Sequence, residues 1–457
     1  MNKKLVSLVL SGLIVLNNTG SIENVYADSD NKPKEIMNNE DTKSNRVVYL
    51  EDGEGAEGVG DGSANKPYQN IRTALEKIQN GDTLKIKGTV QYTKYKQDNN
   101  GAALPLEIDK AITIEGEAGA VLSVNAPIQL KANVTFKDLN LELVPEVSLG
   151  RATTKSSERM LGTIVERSTT IYVNGHELTL DNINTKVGTN LDQSKDRPYI
   201  SGGSHKSSSA PTGKSVINII NSNDETRFSG IYAGDYNEDV TLDVDINIDG
   251  NAKVADNKIY TGGHNRKLNG TVNINLSASD SNNKANSIKK FDKSNHNGNV
   301  NVNLKQDVFV YDFDATNVND LTLEENSKII LSKDATFKVN NVVLKNNATI
   351  DFKQMIDNNL TLKGNFTGEA ITDSSKKGGI VVLGRSQVLD INGKLSGTTR
   401  LSHSNVEMFE GGRVYVKAKE VSDGEFILED GIFDYYELKE VKNGNGIDWE
   451  IVLLPLR

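Results

Sequence analysis

The chain contains no cysteine, so neither a disulfide framework nor a thiolate metal site is open to it, and its stability must come from burial and backbone hydrogen bonding. Proline is scarce, with 8 residues in 457, and tryptophan occurs once. Basic residues are outnumbered, giving a net charge of −10; that excludes a general phosphate-binding surface, because nucleic-acid affinity rests on Lys and Arg neutralising phosphates. Long apolar runs are missing after the first residues, and long helical patterns are nearly absent. What is abundant is Gly, Asn, Asp, Thr, Val and Ile in short alternating runs, the composition of strands joined by tight turns.

The one apolar run sits at the start. Lys3 and Lys4 precede Leu5 to Leu16, and Val25-Tyr26-Ala27 offers small residues for cleavage, so residues 1–27 read as a secretory signal peptide with the mature chain beginning at Asp28. The run is too short to span a bilayer comfortably, and no stable membrane insertion is expected after cleavage. Residues 28–46 are polar and read as a disordered linker. Order is expected from Val47. A short helix follows, with Asn70 as N-cap, Ile71, Ala74, Leu75 and Ile78 on one face, and Gly81 as the residue that closes it.

The architecture is read from repeats. Leu84-Lys85-Ile86 matches Ile112-Thr113-Ile114 at an interval of 28, Val134-Thr135-Phe136 follows at 22, and Leu178-Thr179-Leu180 lies 44 further. Asn218, Asn247, Asn275 and Asn303, each between aliphatic residues, recur at 29, 28 and 28. Since side chains alternate across a strand, the aliphatic neighbours point inward and the four Asn form an outer column, an amide ladder that hydrogen-bonds from coil to coil. Tyr199, Tyr232 and Tyr260 form a second column with Ile288 as fourth member. Downstream, Leu321, Val342 and Leu360 are 21 and 18 apart, and Leu389 follows at 29. The expected fold is therefore all-β, a right-handed parallel β-helix over residues 47–410, with the helix capping its first coil and residues 411–457 forming the last coils and an aromatic-rich C-terminal cap.

Asp61-Gly62-Ser63, Lys66-Pro67-Tyr68, Ala74-Leu75, Gly81-Asp82-Thr83-Leu84 and Ile86-Lys87-Gly88 resemble the opening of pectate-lyase-like β-helix proteins. The Tyr-x-Gly-Gly and Val-Asn-Ile-Asn-Leu patterns around Tyr260 to Leu276 are similar to repeats of Gram-positive cell-surface proteins described as pectate-lyase-like adhesive domains. The resemblance implies a surface-displayed β-helix that adheres. Catalytic members carry a Ca²⁺-binding carboxylate cluster and a basic residue; here Arg197-Pro198 is present without the fuller Arg-x-Pro-x-x-Arg pattern.

Site candidates follow from the same register. Asp235, Glu238, Asp239, Asp243, Asp245 and Asp249 are the densest acidic set, with Asp243, Asp245, Asn247 and Asp249 expected on one outer face. They read as a solvated acidic face or as oxygen ligands for a hard cation such as Ca²⁺, although residues two apart on a strand stand roughly 7 Å apart and cannot all meet one ion. His205 and His264 each follow a Gly-Gly pair. The Tyr column either presents rings to sugars or packs at a corner. No catalytic, metal or cofactor set emerges, and the reading is of a secreted or cell-surface module binding an extracellular glycan or matrix protein through Tyr199, His205, Tyr232, Asp235, Tyr260 and His264, with no nucleic acid as partner. The alternatives are a polysaccharide lyase or hydrolase on the same fold, and a structural envelope component.

Overall fold

The computed structural model describes residues 45–455 apart from 53–59, 93–103, 144–169, 187–196, 206–208, 236–237, 279–283, 357–358, 373–376, 385, 404–408 and 430–435. The expected signal peptide and nearly all of the linker lie outside these residues. Among them the regular structure is mostly β, built on long parallel sheets.

The principal sheet begins with Val47–Glu51, Thr83–Lys87, Ile112–Gly116 and Val134–Lys137. It continues, always parallel, through Glu177–Asp181, Lys214–Ile220, Asp243–Ile248, Val272–Leu276 and Val300–Leu304. Between visits the chain passes through further parallel sheets in a repeating order. From Thr83–Lys87 it goes to Thr89–Tyr92, then Leu106–Ile108, and back to Ile112–Gly116; from there to Val121–Val124, Ile128–Leu130 and Val134–Lys137. After Leu304 the order simplifies to two sheets, the principal one alternating with Phe309–Phe313, Lys328–Leu331, Thr349–Asp351, Gly379–Leu383, Thr398–His403 and Glu425–Leu428. Loss of the third strand per pass explains why the period shortens from 28 to about 21 residues.

The interior is set by alternation. Ile217, Ile246 and Ile274 are fully buried and stand opposite one another in adjacent strands, as do Ile219, Ile248 and Leu276. The intervening Asn218, Asn247, Asn275 and Asn303 are in register and partly exposed. The expected amide column is present: Asn247 Nδ2 donates to Asn218 Oδ1 at 2.6 Å, Asn275 to Asn247 at 2.7 Å and Asn303 to Asn275 at 3.3 Å.

The ends are closed differently. Helix Ile71–Lys77 packs beside Val47–Glu51 and Thr89–Tyr92, with Ile71, Ala74, Leu75 and Ile78 buried and the Asn70 side chain accepting from the amides of Arg72 and Thr73. Its last turn stops at Ile78, so Gly81 is not its closing residue; Gly81 instead turns the chain at φ +86°. At the other end, Tyr436–Asn443 and Gly446–Leu453 form an antiparallel hairpin against Arg413–Val421, burying Tyr415, Trp449 and Ile451.

Three registers differ from the sequence reading. Leu84 stands opposite Ile114, not Ile112, an interval of 30, because Gly116 rather than Ile114 falls beside Ile86. Val342–Leu344 pairs with Phe366–Gly368, whereas Leu360–Leu362 pairs, among the described residues, with Leu389–Ile391 alone. Asp249 leaves the outer column: the strand ends at Ile248, and the Asp249 carboxylate turns into the corner to accept from Ser222 N at 2.8 Å.

Placing a charge at the Ile246 position, which has no solvent exposure, is expected to cost roughly 4 kcal/mol or more, because a carboxylate there would be buried without a partner. Asp245→Asn removes only a half-exposed ion pair with Lys214 and keeps an oxygen for Asn273, a change of about 1 kcal/mol or less. Thermal melts should separate Ile246→Asp from Asp245→Asn by many degrees; equal shifts would mean that the two side chains do not lie on opposite faces.

Candidate functional site

The six predicted residues gather along one sheet, formed by Leu106–Ile108, Ile128–Leu130, Thr170–Tyr172, Tyr199–Ser201, Gly230–Tyr232, Lys258–Tyr260 and Lys290–Asp292, and at the turns that leave it. Its middle positions Ile171, Ile200, Ile231, Ile259 and Phe291 are buried, so the flanking residues face away from the core. The aromatic column is not the one expected. Tyr232 stands opposite Tyr260, but its other neighbour is Ser201, while Tyr199 stands opposite Gly230. Tyr260 stands opposite Asp292; Ile288 is fully buried and off the column. A Cβ on Gly230 would come within 3.0 Å of the Tyr232 ring and 3.2 Å of the Tyr199 ring, so the glycine leaves the room that both rings fill.

What repeats at this corner is glycine rather than tyrosine. The amide of Gly203 donates to the carbonyl of Gly234, and that of Gly234 to the carbonyl of Gly262, at 3.3 and 3.1 Å. A Cβ on Gly234 would sit 2.6 Å from the backbone nitrogen of Gly263, so no other residue allows the turns to stack this closely. Tyr199 precedes its glycines by a longer interval than Tyr232 does, so the tyrosines fall out of register where the glycines do not.

The rings largely satisfy one another. Tyr232 and Tyr260 stack with centroids 4.3 Å apart and planes at 11°, and Tyr199 and His264 approach Tyr232 at 6.2 and 5.5 Å. The Lys258 ammonium lies 4.3 Å from the Tyr260 ring centre and 3.4 Å from Asp292. Burial works against the Lys258 charge, yet its bonds to Tyr260 and Asp292 and their charges outweigh burial and hold it above its ordinary value. Burial likewise opposes ionisation of Asp292; the hydroxyl and amide of Ser294 with the Lys258 charge prevail, keeping its carboxyl low. His264 is exposed, and the turn carrying it is tied down by Asn295, whose Nδ2 donates to the carbonyls of Gly263 and His264.

Two of the six residues are buried. Asp235, 1% exposed, accepts from the amide and hydroxyl of Ser204 at 2.8 and 2.9 Å and from the amide of Glu238 at 3.3 Å. His205, 3% exposed, donates its amide to Gln129 Oε1 at 2.7 Å and meets the Tyr172 ring edge-on at 5.5 Å. The rest of the acidic set does not converge: Asp239 accepts from Lys267 N, Asp243 from Thr271 N and Asp245 from Asn273 Nδ2, each one pass away. Arg197 is buried, donates to the Thr185 carbonyl, and is depressed by desolvation and then by the charge of Arg227. Among the described residues no group of three or more His, Asp or Glu side chains could hold a metal ion.

A second polar surface lies on the outer face of the principal sheet, where the sequence reading saw a single column. There are two. Beside Asn218–Asn303 runs Asp245, Asn273, Asn301, Asp320 and Asn341, with Asn273 donating to Asp245 at 2.8 Å, Asn301 to Asn273 at 3.0 Å and Asn341 to Asp320 at 2.8 Å. Alternate Asn in Val-Asn-Ile-Asn-Leu was the available signal. Every amide donates toward the preceding strand; Asn301 is followed in its column by Asp320, whose carboxylate has no proton to give, and Asn303 by Thr322, so Asn301 Oδ1 and Asn303 Oδ1 have no donor among the described residues and are out of contact with solvent. Asp245, Asn273, Asn275, Asn301, Asn303 and Asp320 line a shallow depression of about 440 Å³ there.

His296 supports the tyrosine corner from below, its Nε2 2.8 Å from the Gly270 carbonyl and its Nδ1 3.2 Å from Thr261 Oγ1. Burial pushes its imidazole below 6.5, as it does that of His176. A depressed native value contributes stability that is present above the unfolded value of 6.5 and is lost as pH falls below it. The melting temperature is therefore expected to drop between about pH 7 and 5. The drop should be shallower in His296→Gln; identical pH profiles would contradict a neutral, buried His296.

No protein-family model, curated protein or solved structure matches this chain.

Proposed function

We propose that the parallel sheets close into a right-handed β-helix of pectate-lyase-like type, exported by the N-terminal segment and displayed outside the cell, where it adheres to a glycan or matrix protein without cleaving it. The repeating order in which the chain visits the sheets supports the winding, and parallel crossovers are right-handed in nearly all proteins. The observation that carries the binding reading is the depression on the principal sheet, lined by the Asn and Asp side chains of the two columns. A polar depression lined by amides and carboxylates suits a ligand rich in hydroxyl or amide N–H groups. Carboxylates of the acidic set are spread over separate passes and engaged by backbone amides and side-chain donors, a poor arrangement for acid, base or metal chemistry.

The test is an array of glycans and matrix proteins probed with residues 28–457. Wild-type protein should bind, and Asn301→Thr with Asn303→Thr should weaken binding about fivefold or more while lowering stability by only about 1 kcal/mol per lost amide bond. Release of unsaturated sugars from a uronic-acid polymer by the wild-type protein would instead establish a lyase.

A further inference from the structure

A different aromatic residue carries the ring face that the tyrosine corner lacks. Strand Phe309–Phe313 runs parallel to Lys328–Leu331 with Val310 opposite Ile329 and Phe313 opposite Leu331, so Tyr311 and Asp312 together stand against one residue, Ile330. This is a β-bulge, and Asp312 at φ +54° is the residue that makes it. Without the extra residue the alternation would drive Asp312 into the core and Phe313 out. With it, Val310 and Phe313 are buried while Tyr311 and Asp312 both project to solvent.

Tyr311 is 54% exposed, the one aromatic side chain among the large exposed apolar residues described. It is nonetheless held: Phe309 meets it edge-on at 4.0 Å and 86°, an arrangement that engages at most one face of the Tyr311 ring. Tyr232 and Tyr260 differ, because each covers a face of the other, and Lys258 stands over Tyr260 besides. Charged side chains stand at the residues next to this aromatic pair. Asp312 pairs with Lys289 at 3.3 Å, and Lys328, the ladder partner of Phe309, places its ammonium 5.8 Å from the Phe309 ring centre. Lys328 makes no ion pair among the described residues, so its donors remain available to a ligand.

We infer that Tyr311 is the stacking platform of a sugar-binding site, on which the C–H face of a pyranose unit lies while Lys328 donates to its exocyclic oxygens. The inference rests on the glycan branch of the proposed function and adds a site on another sheet, away from the amide columns. An apolar ring held by its neighbour and bordered by charged donors and acceptors suits a pyranose, which has an apolar face and a polar rim. Tyr311 has only two side-chain torsions and is already held by Phe309, so ordering it costs little on binding.

The test is calorimetric titration of the intact mature protein with maltohexaose, cellohexaose and chitohexaose, with melting curves on every variant. At least one hexasaccharide should bind. Tyr311→Ala should lower its affinity about tenfold and Lys328→Gln about threefold, whereas Tyr311→Trp should keep or improve it. Ile356→Ser, at a side chain 63% exposed elsewhere, should bind as wild type, and every variant should remain folded at the titration temperature, Tyr311→Ala losing only about 1 kcal/mol with its aromatic contact to Phe309. Unchanged affinity in Tyr311→Ala overturns the inference and leaves the adhesive reading standing. Failure of the intact protein to bind any of the three overturns it too, and the matrix-protein half of the array then tells whether the adhesive reading falls with it.

Discussion

The structure depends on one constraint: each strand of the principal sheet must lie in parallel register with the next, because a slip of one residue would exchange the inner and outer faces of the whole strand. Ile246 stays inside only because Asn247 stays outside, and the reverse. Backbone ladders alone tolerate slippage; the amide columns do not, since Asn275 finds an oxygen only if Asn247 is directly beside it. Each amide bond contributes about 1 kcal/mol, a small amount against the burial of the aliphatic columns, but its geometric demand repeats at every pass. The same polarity leaves Asn301 and Asn303 without a donor where the next strand offers Asp320 and Thr322 in place of Asn.

The sheet must also stop. At its start, backbone bonds from Tyr49 and Glu51 to Gly62 and Tyr68 cover the first strand with the chain's own loop. At its finish the antiparallel hairpin turns the ladder back, and Tyr436–Asn443 pairs on one side only among the described residues. That strand carries Glu437, Lys439, Glu440 and Lys442, and Glu440 and Lys442 share a face with the buried Trp449 and with Ile447. Charges on the core-side face of an edge strand disfavour pairing with another chain. Both ends of the principal sheet are therefore shielded against pairing with another chain.

The Asn register was legible in the sequence because Asn between aliphatic residues is both periodic and chemically unambiguous, and the capping helix because Asn70 and the spacing of Ile71, Ala74, Leu75 and Ile78 act locally. Tyr199 and Ile288 were misassigned for a physical reason: an aromatic ring can reach a neighbour two positions away, so tyrosine marks a corner only loosely, whereas the backbone contact at Gly203, Gly234 and Gly262 tolerates no displacement. The bulge at Asp312 left no signal in the alternation except two successive outward residues. The sequence carries a further periodic signal. Asp307, Asn326 and Asn347 recur at 19 and 21 residues, each in the left-handed region at φ 64°, 57° and 55°, one residue before the buried Val308, Ser327 and Ala348 that lead into the next strand. Asn and Asp are the non-glycine residues that accept this conformation most readily, so these positions mark the two-sheet repeat better than the leucines do.

The account rests on the amide columns being a coupled lattice rather than a row of independent polar residues. A double-mutant cycle on Asn247→Ala and Asn275→Ala, read by equilibrium denaturation, measures that coupling directly. The register predicts that the double mutant loses less than the sum of the single mutants, by about 0.5 to 1.5 kcal/mol, because the two side chains share one hydrogen bond. Strict additivity, within about 0.3 kcal/mol, would mean that the two amides do not touch and that the register of the principal sheet is wrong.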